Sequence, residues 1–263
     1  MITIGIIAEY RPTPLLLDGL KSCYEMDSGY PQISTYSTVV SSCDTLNLTS
    51  NAKLTINIAG KIDKCIFFGA GSNGLEQNCD ARPPLHTLSF STWIKRADYG
   101  MGADEFATIF THKDPNKTNE CFSIKIRNKN YVSGRDAIYF TFTDKSKNRW
   151  MVGYDPEVPT QEDTIWDNNW RHVVTTKAGR TIKIYIDGIL KKTTTLLTSQ
   201  TNGEIWSKTN KWRMAATKNG ISHSDRYCGH VDQTAIWYDR ELTLNDIKGL
   251  YNNGNGLPST SWV

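Results

Sequence analysis

In "RTIKIYIDGILKKTTT", residues 180–195, Ile182, Ile184 and Ile186 alternate with Lys183, Tyr185 and Asp187. A two-residue period sends successive side chains to opposite faces of a strand, so the isoleucines can enter a core while the polar partners stand outside. Asp187-Gly188 supplies the positive-φ pair of a tight turn, and Ile189 restarts the chain in the opposite direction, which predicts an antiparallel hairpin. Comparable runs recur at 21–27, 64–69, 88–96, 106–114, 121–128, 137–144, 170–177, 211–217 and 229–238, with turn signals between them. Many short strands without intervening helices predict a sandwich or barrel, not βαβ units.

One helix is readable, in "LTLNDIKGLYNNGNG" at 242–256. Thr243 can cap its start with Asp246 three residues on, a capping box. Leu244, Ile247 and Leu250 or Tyr251 then share a face, and Asn252, Asn253 and Gly254 stop it. Pro31, Pro83-Pro84 and the Pro156–Pro159 stretch mark loops, with no repeat and no low-complexity linker. The 263 residues therefore suit one large all-β domain over 15–263, preceded by an arm over 1–14.

Composition narrows the setting. Hydrophobic residues make up 38%, and no run approaches the ~18 apolar residues of a membrane-spanning helix, so no membrane insertion is expected. The opening "MITIGIIAEYRPTPLLL" lacks a basic start, and Glu9 and Arg11 interrupt its apolar region, which reads against a secretory signal. None of Cys23, Cys43, Cys65, Cys79, Cys121 and Cys228 forms a CxxC pair, which leaves a zinc site without support. Cys23, Cys65, Cys121 and Cys228 fall in strand-like runs, where cysteine acts as a small buried hydrophobe, and reduced thiols are expected. Cys43 and Cys79 sit in polar, loop-like sequence.

The net charge of +3 does not argue for nucleic acid. Its distribution is uneven: Arg171 to Lys218 holds ten Lys/Arg against two acids, a local +8 that leaves −5 elsewhere. A solvated sheet face explains this stretch, and an electrostatic footprint for an anionic polymer is the competing reading.

The runs "LSFSTWIKRAD" (88–98), "ATIFTHKD" (107–114), "DNNWRHVVTT" (167–176), "IKIYIDGIL" (182–190) and "GHVDQTAIWYDRELTLNDIKGLY" (229–251) resemble, in this order, the laminin-G-like, concanavalin A-like lectin/glucanase superfamily. "LDGLKSCYEMD" and "GKIDKCIFFG" are similar to its opening elements, so the likeness spans about nine-tenths of the chain. The resemblance implies an antiparallel β-sandwich of jelly-roll form with one short C-terminal helix. It does not by itself select a function, because the scaffold carries lectins, hydrolases, adhesion modules and spacers.

The resemblance also directs the search for chemistry. Its enzymes place paired carboxylates on one concave strand as Glu-x-Asp-x-x-Glu, one to protonate the leaving oxygen and one to attack or activate water. That spacing is absent; "ADEF" (103–106) and "QED" (161–163) read as loops. His172 falls where relatives carry a packing histidine beside a core tryptophan. Asp232 interrupts a core strand and needs a partner there: loop backbone, or a structural calcium ion of the kind relatives carry. Asp27 is the second candidate ligand, because first and last strands of this jelly roll usually pair.

Trp93, Trp170 and Trp237 lie in strand patterns and read as core. Trp166, Trp206, Trp150 and Tyr154 lie in loop-like sequence, as candidates for a carbohydrate platform or as caps on the sandwich ends. In the arm, Ile2, Ile4 and Ile6 share one period-two face, and an apolar strand of this kind must add to a sheet, its own or a neighbour's.

The function expected is a non-catalytic recognition or assembly module on a virion surface, made in the host cytoplasm. Its partners would be other virion proteins, copies of itself and host-surface glycans. The alternatives are a polysaccharide-active enzyme and a secreted carbohydrate-binding module.

Overall fold

In the computed structural model, the structure describes residues 14–24, 37–39, 48–50, 54–69, 74–79, 85–97, 106–113, 120–127, 137–155, 168–199, 201–206, 210–215 and 226–262. Among the described residues a 3-10 turn at Pro14–Leu17 is followed by β1 (Leu20–Tyr24), β2 (Ser37–Val39), β3 (Leu48–Ser50), β4 (Thr55–Ala59) and β5 (Lys64–Phe68). Then come β6 (Leu75–Cys79), β7 (Thr87–Arg96), β8 (Phe106–Lys113), β9 (Glu120–Arg127), β10 (Ile138–Thr143) and β11 (Arg149–Tyr154). The chain continues with β12 (Arg171–Ala178), β13 (Thr181–Ile186), β14 (Ile189–Thr195), β15 (Asn210–Met214), β16 (Gly229–Tyr238) and α1 (Leu244–Tyr251).

The strands make two antiparallel sheets. One runs β14-β13-β12-β7-β16-β5-β4, with β1 also on β16; the other runs β11-β10-β9-β8-β15-β6-β3-β2. The pairing of β1 with β16 joins the first and last strands, as the jelly roll requires. Alternation decides which face each residue takes. Across the second sheet Val152, Phe140, Ile124, Phe110, Met214 and Leu75 stand in register and enter the core between the sheets. One position along, Met151, Thr141, Ser123, Thr111, Arg213 and Glu76 form a mostly polar row on the opposite face.

The first sheet is covered on both faces. Phe90, Val173, Ile184 and Ile236 face the central core. Val174, Tyr185, Ala235 and Trp237 turn outward into a second apolar cluster, closed by Leu16, Ile247, Leu250 and Trp262. Trp237 Nε1 donates to the Leu16 carbonyl at 2.7 Å, and Trp262 stacks on Trp237 at 5.7 Å between centroids. The sandwich thus extends past the helix to Trp262, a buried residue that periodicity alone did not single out.

The expected capping box is present. Thr243 Oγ1 accepts from the Asp246 amide at 3.2 Å, and Asp246 Oδ2 accepts from the Thr243 amide at 2.9 Å. Three readings of the sequence change. Trp150 and Tyr154 lie on β11, not in a loop; "RWMVGY" does not alternate cleanly because an edge strand buries only part of each face. Cys79 closes β6. Trp170 is half-buried just before β12, with its ring edge against His230. Cys23, Cys65, Cys121 and Cys228 are buried thiols, as expected.

Candidate functional site

The hairpin read from the sequence ends in a turn with Asp187 at φ 52° and Gly188 at φ 75°, both in the left-handed region. Asp187 fastens this turn to β12. Its Oδ2 accepts from Arg171 Nη1 at 2.8 Å, its Oδ1 accepts from the His172 amide at 2.8 Å, and its own amide donates to the His172 carbonyl at 2.9 Å. Helix α1 lies across the same end of the first sheet, held by Ile247 and Leu250 in the outer cluster. Asn252 and Asn253 take left-handed φ of 47° and 51° and end the helix there.

Between turn and helix opens a cavity of about 550 Å³, in the size range of small-ligand sites. Its lining combines apolar Ile186 and Ile189 with Tyr251, Asn253, Asp187 and three cations, Arg171, Lys191 and Lys248. Burial raises the Tyr251 phenol above its ordinary value; the Asp187 charge adds to this and Arg171 opposes it. The phenol is therefore a neutral donor at physiological pH.

Tyr251 rests on an aromatic cluster. Trp93 and His172 stack at 4.9 Å, and Tyr251 lies 5.8 Å from Trp93 and 6.2 Å from His172, with interplanar angles of 18°. Lys61 Nζ sits 5.2 Å from the Trp93 ring centroid. His172 Nε2 lies 2.8 Å from Ser91 Oγ, and complete burial pushes the imidazole pKa down to about 3. His172 is thus a neutral packing group, a role opposite to that of a general base poised near 7.

The aromatic candidates from the sequence do not share one site. Trp150 and Trp206 are both tied to the end of β10: Trp150 Nε1 donates to Asp144 Oδ2 at 2.9 Å, and the Trp206 amide donates to the Thr143 carbonyl at 2.8 Å. Tyr154 stands at the other end of β11, opposite Ile138, roughly 13 Å along the strand. All three pack partly buried against the central core. Trp166 lies outside the described residues, as do Asp27, Cys43 and the arm's Ile2, Ile4 and Ile6.

Asp232 sits at a bulge of β16, and one of its carboxylate oxygens has backbone partners. Its Oδ2 accepts from the Lys61 and Ile62 amides, each at 2.8 Å, pinning the β4–β5 turn. A Cβ on Gly60 would lie 2.7 Å from that oxygen, so the close approach needs glycine. Calcium needs six to eight oxygen ligands. Among the described residues no three His, Cys, Asp or Glu side chains gather, so those around Asp232 are too few to hold the ion by themselves, and Asp27 lies outside the described residues.

The polar face of the second sheet carries Glu120 and Glu76, each clamped by cations. Glu120 lies 2.9 Å from Lys125 Nζ and 3.7 Å from Arg149, and accepts from Ser123 Oγ at 2.7 Å. Burial alone would raise its pKa, but Lys125 outweighs that, helped by Ser123 and Arg149, and holds it below the usual range. Glu76 is likewise held down against burial, by Lys211 at 2.9 Å and Arg213 at 3.2 Å. A glycosidase acid must hold its proton near neutral pH. These two carboxylates are tuned the other way.

The basic stretch also divides on folding. Lys177 is buried and donates to the carbonyls of His86 (3.1 Å), Gly179 (2.7 Å) and Gly203, with Phe142 of the opposite sheet 5.1 Å away. Lys183 pairs with Glu241 at 2.8 Å, while Lys211 and Arg213 bind Glu76. Arg171 and Lys191 reach the cavity, where Lys248 joins them from a region 57 positions beyond Lys191. The Asp-Gly turn, the basic stretch and the capped helix were each legible in the sequence; nothing local tied the turn to the helix.

No curated protein matches the chain in sequence. Among solved structures, the binding domain of botulinum neurotoxin serotype G is similar at TM-score 0.63 and 13% identity, over 88% of this chain and 50% of that one. The botulinum neurotoxin serotype D ligand binding domain in complex with N-acetylneuraminic acid gives TM-score 0.64 and 15% identity, over 90% of this chain and 51% of that one. The chain thus spans about half the length of these toxin domains. Domain 4 of AbnA, an extracellular arabinanase from Geobacillus stearothermophilus in complex with arabinotriose, gives TM-score 0.55 and 18% identity, over 87% of this chain and 96% of that domain. At these identities the likeness is one of fold. Residues 70–248 match the family described as the concanavalin A-like lectin/glucanases superfamily, and with the jelly-roll topology above, the chain belongs to that superfamily.

Proposed function

We propose that this chain is a non-catalytic carbohydrate-binding module whose saccharide site is the cavity between the β13–β14 turn and α1. The observation that carries the reading is the composition of that cavity: a half-buried tyrosine beside apolar isoleucines, with Asn253, Asp187 and cations around it. A sugar ring offers an apolar C–H face next to hydroxyls, and this lining meets both with an aromatic ring and fixed polar groups. The arabinotriose complex of the similar arabinanase domain supports the class of ligand. The lowered pKa of Glu120 and Glu76 supports a binding role over hydrolysis.

Within this reading the module serves a virion surface protein and recognises host-surface glycans. Its buried thiols support that setting, since a fold that rests on reduced cysteines suits synthesis in a reducing cytosol. Mass spectrometry of purified particles tests the location.

Binding is tested by calorimetry with arabinotriose and by a glycan array, comparing wild type with Tyr251→Ala. Loss of at least tenfold in affinity, with the far-ultraviolet spectrum preserved, is expected. Undiminished binding by a folded Tyr251→Ala protein overturns the site.

A further inference from the structure

We infer that the cavity prefers a saccharide bearing a carboxylate over a neutral one, an inference that rests on the carbohydrate-binding reading above. Three cations converge on it from three separate elements: Arg171 at the start of β12, Lys191 on β14 and Lys248 on α1. Among the described residues only one carboxylate lines the same space, and both of its oxygens are engaged. Asp187 gives one oxygen to Arg171 and the other to the His172 amide, each at 2.8 Å. Among the described lining residues the cations outnumber the carboxylates three to one.

Lys248 is the sharpest element. It stands exposed on α1 at the rim of the cavity and makes no ion pair among the described residues. The nearby acids are committed elsewhere: Asp246 caps the helix and holds Arg240, and Glu241 binds Lys183. A neutral sugar gains little from an ammonium group. A sugar carboxylate gains a charge-assisted hydrogen bond and long-range attraction, while Tyr251 and the isoleucines serve its ring. The chemistry selected is thus a ring with an anionic substituent, and both uronic acids and N-acetylneuraminic acid supply it.

Glucuronic acid and glucose differ at one carbon, carboxylate against hydroxymethyl, and form the decisive pair. Saturation-transfer NMR and calorimetry at low salt are run with both, with N-acetylneuraminic acid and with arabinotriose. At least one acidic sugar is expected to bind tenfold or more tightly than glucose, with affinity falling as salt rises. Which acid binds better identifies the source of the carboxylate. Lys248→Gln, a substitution that a helix tolerates, should collapse the ratio of acidic to neutral affinity by fivefold or more. Equal binding of glucuronic acid and glucose, or an acid preference that survives Lys248→Gln, overturns the charge selectivity and leaves the carbohydrate reading standing. If neither acidic nor neutral sugars bind, both fall.

Discussion

Trp93 and His172 face each other across the β7–β12 pair, with ring centroids 4.9 Å apart and His172 Nε2 2.8 Å from Ser91 Oγ. Burial keeps this histidine neutral, with its pKa pushed down to about 3 from an ordinary 6.5. The unfolded chain therefore binds a proton below pH 6.5 that the folded chain refuses. Stability should fall as pH drops from about 6.5 toward 3, by on the order of a few kcal/mol. Urea unfolding between pH 3.5 and 7 checks this: the slope should flatten in His172→Gln, and an identical slope in wild type and variant counts against it.

Lys177 titrates on the alkaline side. Burial lowers its pKa to about 8 from 10.5, with Glu204 partly opposing. Between those values the unfolded chain holds the proton and the folded chain has lost it, so stability should rise with pH across that window. Lys177→Met should remove this increment when unfolding is measured at pH 8 and pH 10 beside the wild type.

Gly188 takes φ +75°, and a Cβ there would stand 3.2 Å from Tyr251 Cδ1. Gly188→Ala should cost about 1 kcal/mol through the left-handed backbone and crowd the tyrosine at the cavity. A lower melting temperature together with weakened saccharide binding is the expected pair of results. Gly179, also at positive φ but with open space at its Cβ, is the control: the same change there should affect stability alone.

Asp232→Ala would leave the Lys61 and Ile62 amides without their acceptor, costing about 1–3 kcal/mol. If backbone alone holds Asp232, a chelator should not move the melting temperature of the wild type. A chelator-dependent melt abolished by the substitution would show an ion where the structure has amides.

The arm is tested by deletion of residues 1–13, which keeps Leu16 and its bond to Trp237 intact. If the isoleucine face adds to another subunit, the truncated protein should remain folded and lose self-association in sedimentation velocity. Unfolding of the truncated protein would assign the arm to its own core.

Local physics was legible in the sequence. The period of Ile182, Ile184 and Ile186 is set by strand geometry, the Asp187-Gly188 turn by tolerance of positive φ, and the start of α1 by the Thr243–Asp246 pair. Each depends on residues a few positions apart, so each can be read in order along the chain. The polar row on the second sheet followed from the same alternation.

Only the folded chain decided the rest. Strand β7 lies between β12 and β16, and that placement stacks Trp93, His172 and Tyr251 into one support. Lys177 sits in a stretch that reads as solvated, yet loop carbonyls from His86 and Gly203 close over it. The cavity draws Arg171, Asp187, Lys191, Lys248 and Tyr251 from two strands, a turn and the helix, and no periodicity links residue 171 to residue 251. A two-residue or 3.6-residue period reports which way a side chain points from its own backbone. What it meets there is set by contacts distant in sequence, formed only when the sheets pack.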